Sequence, residues 1–225
     1  AEVCKKYKLI ILSDEIYSNL TFNNKYQSIS NFYPEGTIIS TGLSKWCGAG
    51  GWRLGFFAIP DELNEVKNSL KILCSESFTS VSAPVQYAAV EAYTGDYSVY
   101  LENVKKILFS IGMYVYENLK SNAVNISKPE GGFYLFPEFV SAKFSSSSEM
   151  CKDILGKTGV ALLPGSDFGL DIKKMIARLS YTDFDGENFL KNTSGSKNLD
   201  TDDIRKYAPN IVDGVAKLKE WSNAL

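Results

Sequence analysis

Four consecutive apolar residues, Leu9-Ile10-Ile11-Leu12, end abruptly in Ser13-Asp14-Glu15. A short run without polar alternation predicts a strand buried on both faces, the pattern of a parallel sheet covered by helices on each side. The segment ahead of it, Ala1-Glu2-Val3-Cys4-Lys5-Lys6-Tyr7-Lys8, reads as the last two turns of an amphipathic helix, with its lysines where the helix dipole favours cations. It shows no N-cap and no signal-peptide pattern, so the chain is expected to begin inside an element of a larger protein. A helix followed by a buried strand is the building unit of an α/β fold. Polar residues at the carboxyl end of such a strand face the crevice where open sheets bind ligands.

Further strands are expected at residues 37–41 and 54–59. Pro60-Asp61 opens a helix whose apolar face is Leu63, Val66, Leu70 and Leu73, and a second helix after Pro84 places Val85, Ala88, Ala89 and Ala92 inward. Residues 97–120 form one long periodic helix through Leu101, Val104, Leu108, Ile111, Val115 and Leu119, a length suited to bridging two domains. The texture then becomes α+β. Strands are expected at 124–126, 132–136, 160–163 and 175–181, and helices at 147–156 and 201–223. Residues 185–199 lack periodicity and are expected to form a mobile surface loop. The predicted domains are residues 1–96 and residues 97–225.

Composition narrows the chemistry. The 225 residues carry 24 basic and 26 acidic side chains, a net charge of −2, which gives no electrostatic reason to expect nucleic acid or a membrane as partner. No apolar run approaches the roughly 20 residues a membrane span needs. Histidine is absent, which excludes Ser-His and Cys-His nucleophiles, histidine-ligated zinc and histidine acid/base catalysis. Cys4, Cys47, Cys74 and Cys151 stand far apart, form no CxxC pair and fit a reduced cytoplasmic setting better than a disulfide scaffold. Proton transfer in an enzyme of this composition must fall to Lys, Tyr, Asp, Glu or Cys.

The densest polar cluster is Ser40-Thr41-Gly42-Leu43-Ser44-Lys45-Trp46-Cys47-Gly48-Ala49-Gly50-Gly51-Trp52-Arg53-Leu54-Gly55. No Gly-Lys-Ser/Thr triplet makes it a Walker loop, and Gly48-x-Gly50 leads to Arg53 and a strand, which the dinucleotide fingerprint does not allow. What remains is a lysine flanked by phosphate binders, Ser44 and Arg53. That combination suits a cofactor with both an aldehyde and a phosphate, for which pyridoxal phosphate is the candidate. Asp14, at the end of the buried strand, can hold a pyridine nitrogen, and Tyr17 can donate to a ring oxygen.

With Ser13-Asp14-Glu15-Ile16-Tyr17, Leu43-Ser44-Lys45, Gly51-Trp52-Arg53-Leu54-Gly55, Pro129-Glu130-Gly131-Gly132-Phe133-Tyr134, Pro164-Gly165-Ser166-x-Phe168-Gly169 and Ala177-Arg178-Leu179-Ser180, the chain resembles the class I/II aminotransferases, pyridoxal-phosphate enzymes of fold type I. The resemblance implies the second half of a mostly parallel-sheet α/β large domain followed by an α+β small domain. It implies Lys45 as the Schiff-base lysine and proton carrier, and Asp14, Tyr17, Ser44 and Arg53 as cofactor ligands. Arg178 would bind the substrate α-carboxylate, which fits a guanidinium set in an apolar strand and therefore in need of an anion. It further implies amino acid and 2-oxo acid substrates, aspartate- or aromatic-type first, and a homodimer for the full-length protein. The 225-residue chain alone is expected to show weak or no transaminase activity.

The same site chemistry would serve a C–S lyase, an aminocyclopropane-carboxylate synthase or the cofactor-sensing domain of a transcription regulator. Gly42 departs from the family, where many members have a hydroxyl residue touching phosphate. Trp46, Trp52 and Cys47 read as packing residues. Asp167-Phe168-Gly169 mimics a kinase triplet but lacks the accompanying HRD and APE segments.

Overall fold

The computed structural model describes residues 1–23, 25–196 and 198–225, which fall into two compact units, Ala1–Leu101 and Glu102–Leu225. The first unit opens with α1 (Glu2–Tyr7), which has Lys5 and Lys6 in its last turn as predicted and is closed by Lys8 in the left-handed region at φ 51°. Three strands follow, β1 (Ile11–Asp14), β2 (Thr37–Gly42) and β3 (Gly55–Ala58), in the order β1-β2-β3. β1 runs parallel to β2, with Asp14 opposite Ser40, and β3 is antiparallel to β2, with Gly42 opposite Gly55.

The expectation that β1 is buried on both faces does not hold. The strand begins two residues after the start of the apolar run and alternates between half-buried and exposed positions, with Leu12 64% exposed. Among the described residues β1 has one hydrogen-bonded neighbour, and nothing covers the face that carries Leu12.

The helix after Pro60 is α2 (Asn64–Ser77). Its predicted stripe faces the protein at Leu63, Val66 and Leu70, all half-buried, but no residue of the helix is fully buried, and Leu73 is 60% exposed. In α3 (Ala83–Thr94) the predicted face is again the inner one, with Ala89 buried and Val85, Ala88 and Ala92 half-buried. Trp46 anchors this packing. It is buried at the loop after β2, edge-on to Tyr93 at 5.8 Å and tilted against Tyr97 at 6.2 Å, and its indole N–H has no acceptor among the described residues.

α4 (Ser98–Leu119) carries the chain into the second unit and buries Ile107, Leu108, Ile111, Val115 and Leu119 on one stripe. Gly112 lies on the same stripe. A Cβ there would stand 3.0 Å from Pro129 Cγ and from the Tyr181 hydroxyl, so its absence lets those residues sit against the helix backbone. Short strands β4 (Val124–Asn125), β5 (Tyr134–Leu135) and β6 (Glu138–Phe139) come next, then α5 (Ser147–Thr158), capped by the Ser146 side chain at one end and by Gly159 in the left-handed region at the other. β7 (Leu163–Pro164) and β8 (Ala177–Ser180) complete a sheet of order β5-β8-β7, all antiparallel, and β4 pairs separately with β6. The strand expected at 160–163 is thus reduced to its last residue. Val160, Ala161 and Leu162 instead line a groove beside Val215 and Leu218.

Residues 185–199 are not simply a loop. They contain α6 (Gly186–Thr193), capped by the Asp185 carboxylate, which accepts from the Asn188 N–H. Phe189 is fully buried against Phe184 and Tyr207, and Lys106 Nζ donates to the Ser196 carbonyl at 2.6 Å, just past the helix, where a cation suits the dipole. Lys197 lies outside the described residues. The predicted helix 201–223 is two helices, α7 (Thr201–Tyr207) and α8 (Pro209–Asn223), because Pro209 denies the turn an N–H donor and pushes Ala208 out of helical geometry. Among the described residues no helix is long and apolar enough to cross a membrane.

Near its end α8 contributes Trp221, which stacks on Phe144 at 5.9 Å, meets Phe139 edge-on at 5.4 Å and donates its indole N–H to the Asp153 carboxylate at 2.8 Å. Trp221→Ala is expected to cost about 3–5 kcal/mol through the lost aromatic core, and Trp221→Phe about 1–3 kcal/mol through the lost hydrogen bond and the smaller ring. Urea unfolding of the three proteins measures both differences.

Candidate functional site

Parallel pairing puts the carboxyl ends of β1 and β2 at the same edge of the sheet, and the predicted residues of the first unit gather there. Asp14 ends β1 as an exposed carboxylate, and its Oδ1 accepts from the Ile16 N–H at 3.2 Å, which turns the chain towards Tyr17. β2 ends at Gly42 and delivers half-buried Ser44 and Lys45 to the same edge. Lys45 Nζ stands 5.7 Å from the centre of the Tyr17 ring, so two residues 28 positions apart in the chain meet side by side.

The glycine-rich segment is a hairpin loop between β2 and β3. The Leu43 N–H donates to Leu54 and the Ala49 N–H to Leu43, which folds the loop back on Ser44. A Cβ on Gly50 would stand 3.5 Å from the Ser44 carbonyl. Arg53 closes the loop in the left-handed region, φ 54° and ψ 46°, a conformation that costs a bulky residue roughly 1–2 kcal/mol. Its Nη1 donates to the Gly50 carbonyl at 2.9 Å, and the side chain is exposed. Gly42 has a steric reason to lack a hydroxyl: a Cβ there would meet the Leu54 carbonyl oxygen at 2.7 Å, closer than the backbone tolerates.

Glu15 was not foreseen from the sequence. It is buried, and its Oε1 accepts from Ser28 Oγ at 2.6 Å and from Ser13 Oγ at 3.1 Å, while Ser28 also touches Ser30 Oγ at 2.7 Å. Burial together with the Glu15 carboxylate pushes the Tyr26 phenol up to about 12. The cluster ties the segment after Tyr17 back to the end of β1 and so holds the turn on which Asp14 and Tyr17 sit. The neighbouring Ser13 is a local partner but does not by itself announce the cluster, because the shorter bond comes from Ser28, thirteen residues away.

Arg178 belongs to the second unit, in the centre of β5-β8-β7. It is half-buried, and its Cζ lies 4.4 Å from the ring centre of Tyr134 and 4.5 Å from that of Phe168. Among the described residues no carboxylate pairs with it.

The donor set of the first unit, an amine, a carboxylate, a phenol, a hydroxyl and a guanidinium at one sheet edge, fits a phosphorylated aldehyde cofactor in chemistry. Residues 1–190 match the family model for aminotransferase class I and II. The chain is 36% identical over 171 residues to a probable N-acetyl-LL-diaminopimelate aminotransferase of Bacillus subtilis, covering 75% of this chain and 42% of that protein. It is 33% identical over 177 residues to an aspartate aminotransferase of the same organism, covering 75% and 44%. Among solved structures it is similar in fold to an alanine aminotransferase from Pyrococcus furiosus (TM-score 0.77, 24% identity, all of this chain and 52% of that one). An aromatic aminotransferase from Pyrococcus horikoshii gives the same TM-score and identity over 99% of this chain and 53% of the other. The chain spans less than half the length of the curated relatives it matches.

Two measurements probe this geometry. Arg53→Gly relieves the left-handed backbone and is expected to raise stability by about 0.5–1 kcal/mol despite the added chain freedom, read as a higher melting temperature. Carbon-13 tyrosine spectra should show Tyr26 titrating near 12, and Glu15→Gln should lower that value by removing the neighbouring negative charge.

Proposed function

The chain belongs to the class I and II aminotransferase family, and from that premise we propose that the protein it forms moves an amino group between an amino acid and a 2-oxo acid with pyridoxal phosphate. The observation that carries this reading is the meeting of Lys45 and Tyr17 at the carboxyl edge of the β1-β2 pair, beside Asp14 and Ser44. Bound there, pyridoxal phosphate supplies a carbonyl carbon for amine exchange and an electron-withdrawing ring.

The protein's own groups divide the work. Asp14, with a carboxylate at the strand end, is the partner for a protonated ring nitrogen. Tyr17 donates its phenol to the ring oxygen beside Lys45. Ser44 and Arg53 hold the phosphate, the hydroxyl as a single donor and the guanidinium as a fork. Lys45 Nζ would hold the cofactor through its carbonyl carbon, with loss of water, and would then take and return the proton at the substrate Cα, a role lysine can fill in a chain without histidine. Arg178, carried by the second unit, is the proposed ligand of the substrate carboxylate. Aspartate- or aromatic-type amino acids remain the proposed substrates, in keeping with the names borne by several relatives.

The same reading makes residues 1–96 the lysine-bearing portion of a larger cofactor-binding domain and residues 97–225 a small domain, with a homodimer as the full-length assembly in the cytoplasm. The exposed apolar side chains of the first unit, Leu12, Phe57, Ile72 and Leu73 among them, support it, since a free-standing domain of that size rarely leaves so much apolar surface open.

Added pyridoxal phosphate is expected to give the 225-residue chain an absorbance band from its linkage to a lysine amine, and Lys45→Ala should abolish that band. A spectrum and affinity unchanged by the substitution would remove Lys45 from the site. Arg53→Ala is expected to leave the band and weaken the affinity about 10- to 100-fold, because a charged hydrogen bond to phosphate is lost.

A further inference from the structure

Arg178 sits on the central strand of its sheet, and each neighbouring strand brings one aromatic ring to it. Tyr134 lies on β5, where it pairs with Ser180, two residues from Arg178 and on the same face. Phe168 arrives from the other side by way of the turn that follows β7, where Leu163 pairs with Arg178. Two glycines set that turn. Gly165 passes so near β8 that a Cβ would stand 2.9 Å from the Ile176 carbonyl, and its N–H donates there at 2.7 Å. Gly169 ends the turn at φ 79°, a value side chains resist. Between them the chain reverses within four residues and lays Phe168 against the guanidinium, and Phe136 supports the Phe168 ring edge-on at 5.7 Å.

We infer that Tyr134 and Phe168 are positioning residues that hold the Arg178 guanidinium in one orientation for an incoming carboxylate. The inference rests on the carboxylate role proposed for Arg178 above. The arginine needs such support because, among the described residues, no ion pair or side-chain hydrogen bond supplies it. An ion pair or hydrogen bond with a protein acceptor would fix the side chain but consume the donors a carboxylate must use. The two rings restrain it through cation–π attraction and leave its in-plane N–H groups for the ligand. Phe168 is 41% exposed, so it contributes little to the core, and its place over the cation is what its conformation provides. The resemblance of Asp167-Phe168-Gly169 to a kinase triplet thus has another reading, a turn whose phenylalanine serves an arginine.

The test uses the full chain labelled with nitrogen-15 arginine, whose arginines are Arg53, Arg178 and Arg205. Pyruvate is the probe, with the uncharged methyl pyruvate as control. In the wild type the Arg178 Nε–H proton is expected upfield of that of Arg205, shielded by the rings, and to move saturably with pyruvate and not with its ester. Phe168→Leu should return the proton towards the Arg205 position and weaken pyruvate binding about 3- to 10-fold, while Phe168→Tyr keeps both properties. Loss of the upfield shift with unchanged pyruvate affinity overturns the positioning role and leaves Arg178 as the carboxylate ligand. An upfield Arg178 proton that ignores pyruvate in the wild type overturns the carboxylate role itself, and the positioning role with it.

Discussion

The parallel ladder between β1 and β2 is the constraint on which the first unit depends. Parallel strands finish at the same edge, so the carboxylate that ends one strand and the lysine just beyond the other are delivered to the same end of the sheet. An antiparallel pairing of the same two segments would send Asp14 and Lys45 to opposite ends. The ladder is short, four residue pairs, and its precision is completed from outside. The buried Glu15 cluster fixes the turn after β1, and the hairpin loop up to Arg53 fixes the segment after β2.

Much of the candidate site could be nominated from sequence because its residues cluster there. Ser44, Lys45 and Arg53 lie within one glycine-rich block, and Asp14 and Tyr17 within a short polar segment after the first apolar run. Arg178 was legible for a different reason, a cation stranded in an apolar strand. Its two aromatic neighbours were not, because a ring that serves a charge is written with the same letter as a ring that fills a core. Glu15 was hidden since its partner Ser28 joins it only through the fold.

The long helix α4 followed its periodicity nearly residue for residue, as strongly periodic segments do. Short elements did not. α6 has eight residues and one fully buried apolar side chain, so periodicity had nothing to register, and the available signal was Asp185 as a cap. Burial was the weakest part of the reading. The apolar runs of β1 and α2 state correctly which side chains seek cover, and the chain leaves several of them exposed. Sequence pattern reports demand for burial, whereas its satisfaction depends on what else is packed nearby.

Gly42 carries a consequence for how such sites change over time. The two strands it joins approach so closely that their backbones touch where a side chain would have to stand. A hydroxyl contact to phosphate cannot therefore be gained or lost at this position by exchanging one residue while the rest stands still. Acquiring it means parting β2 from β3 and resetting the loop that carries Ser44 and Arg53. Variants of this loop should form discrete architectures separated by concerted changes rather than a graded series of single exchanges.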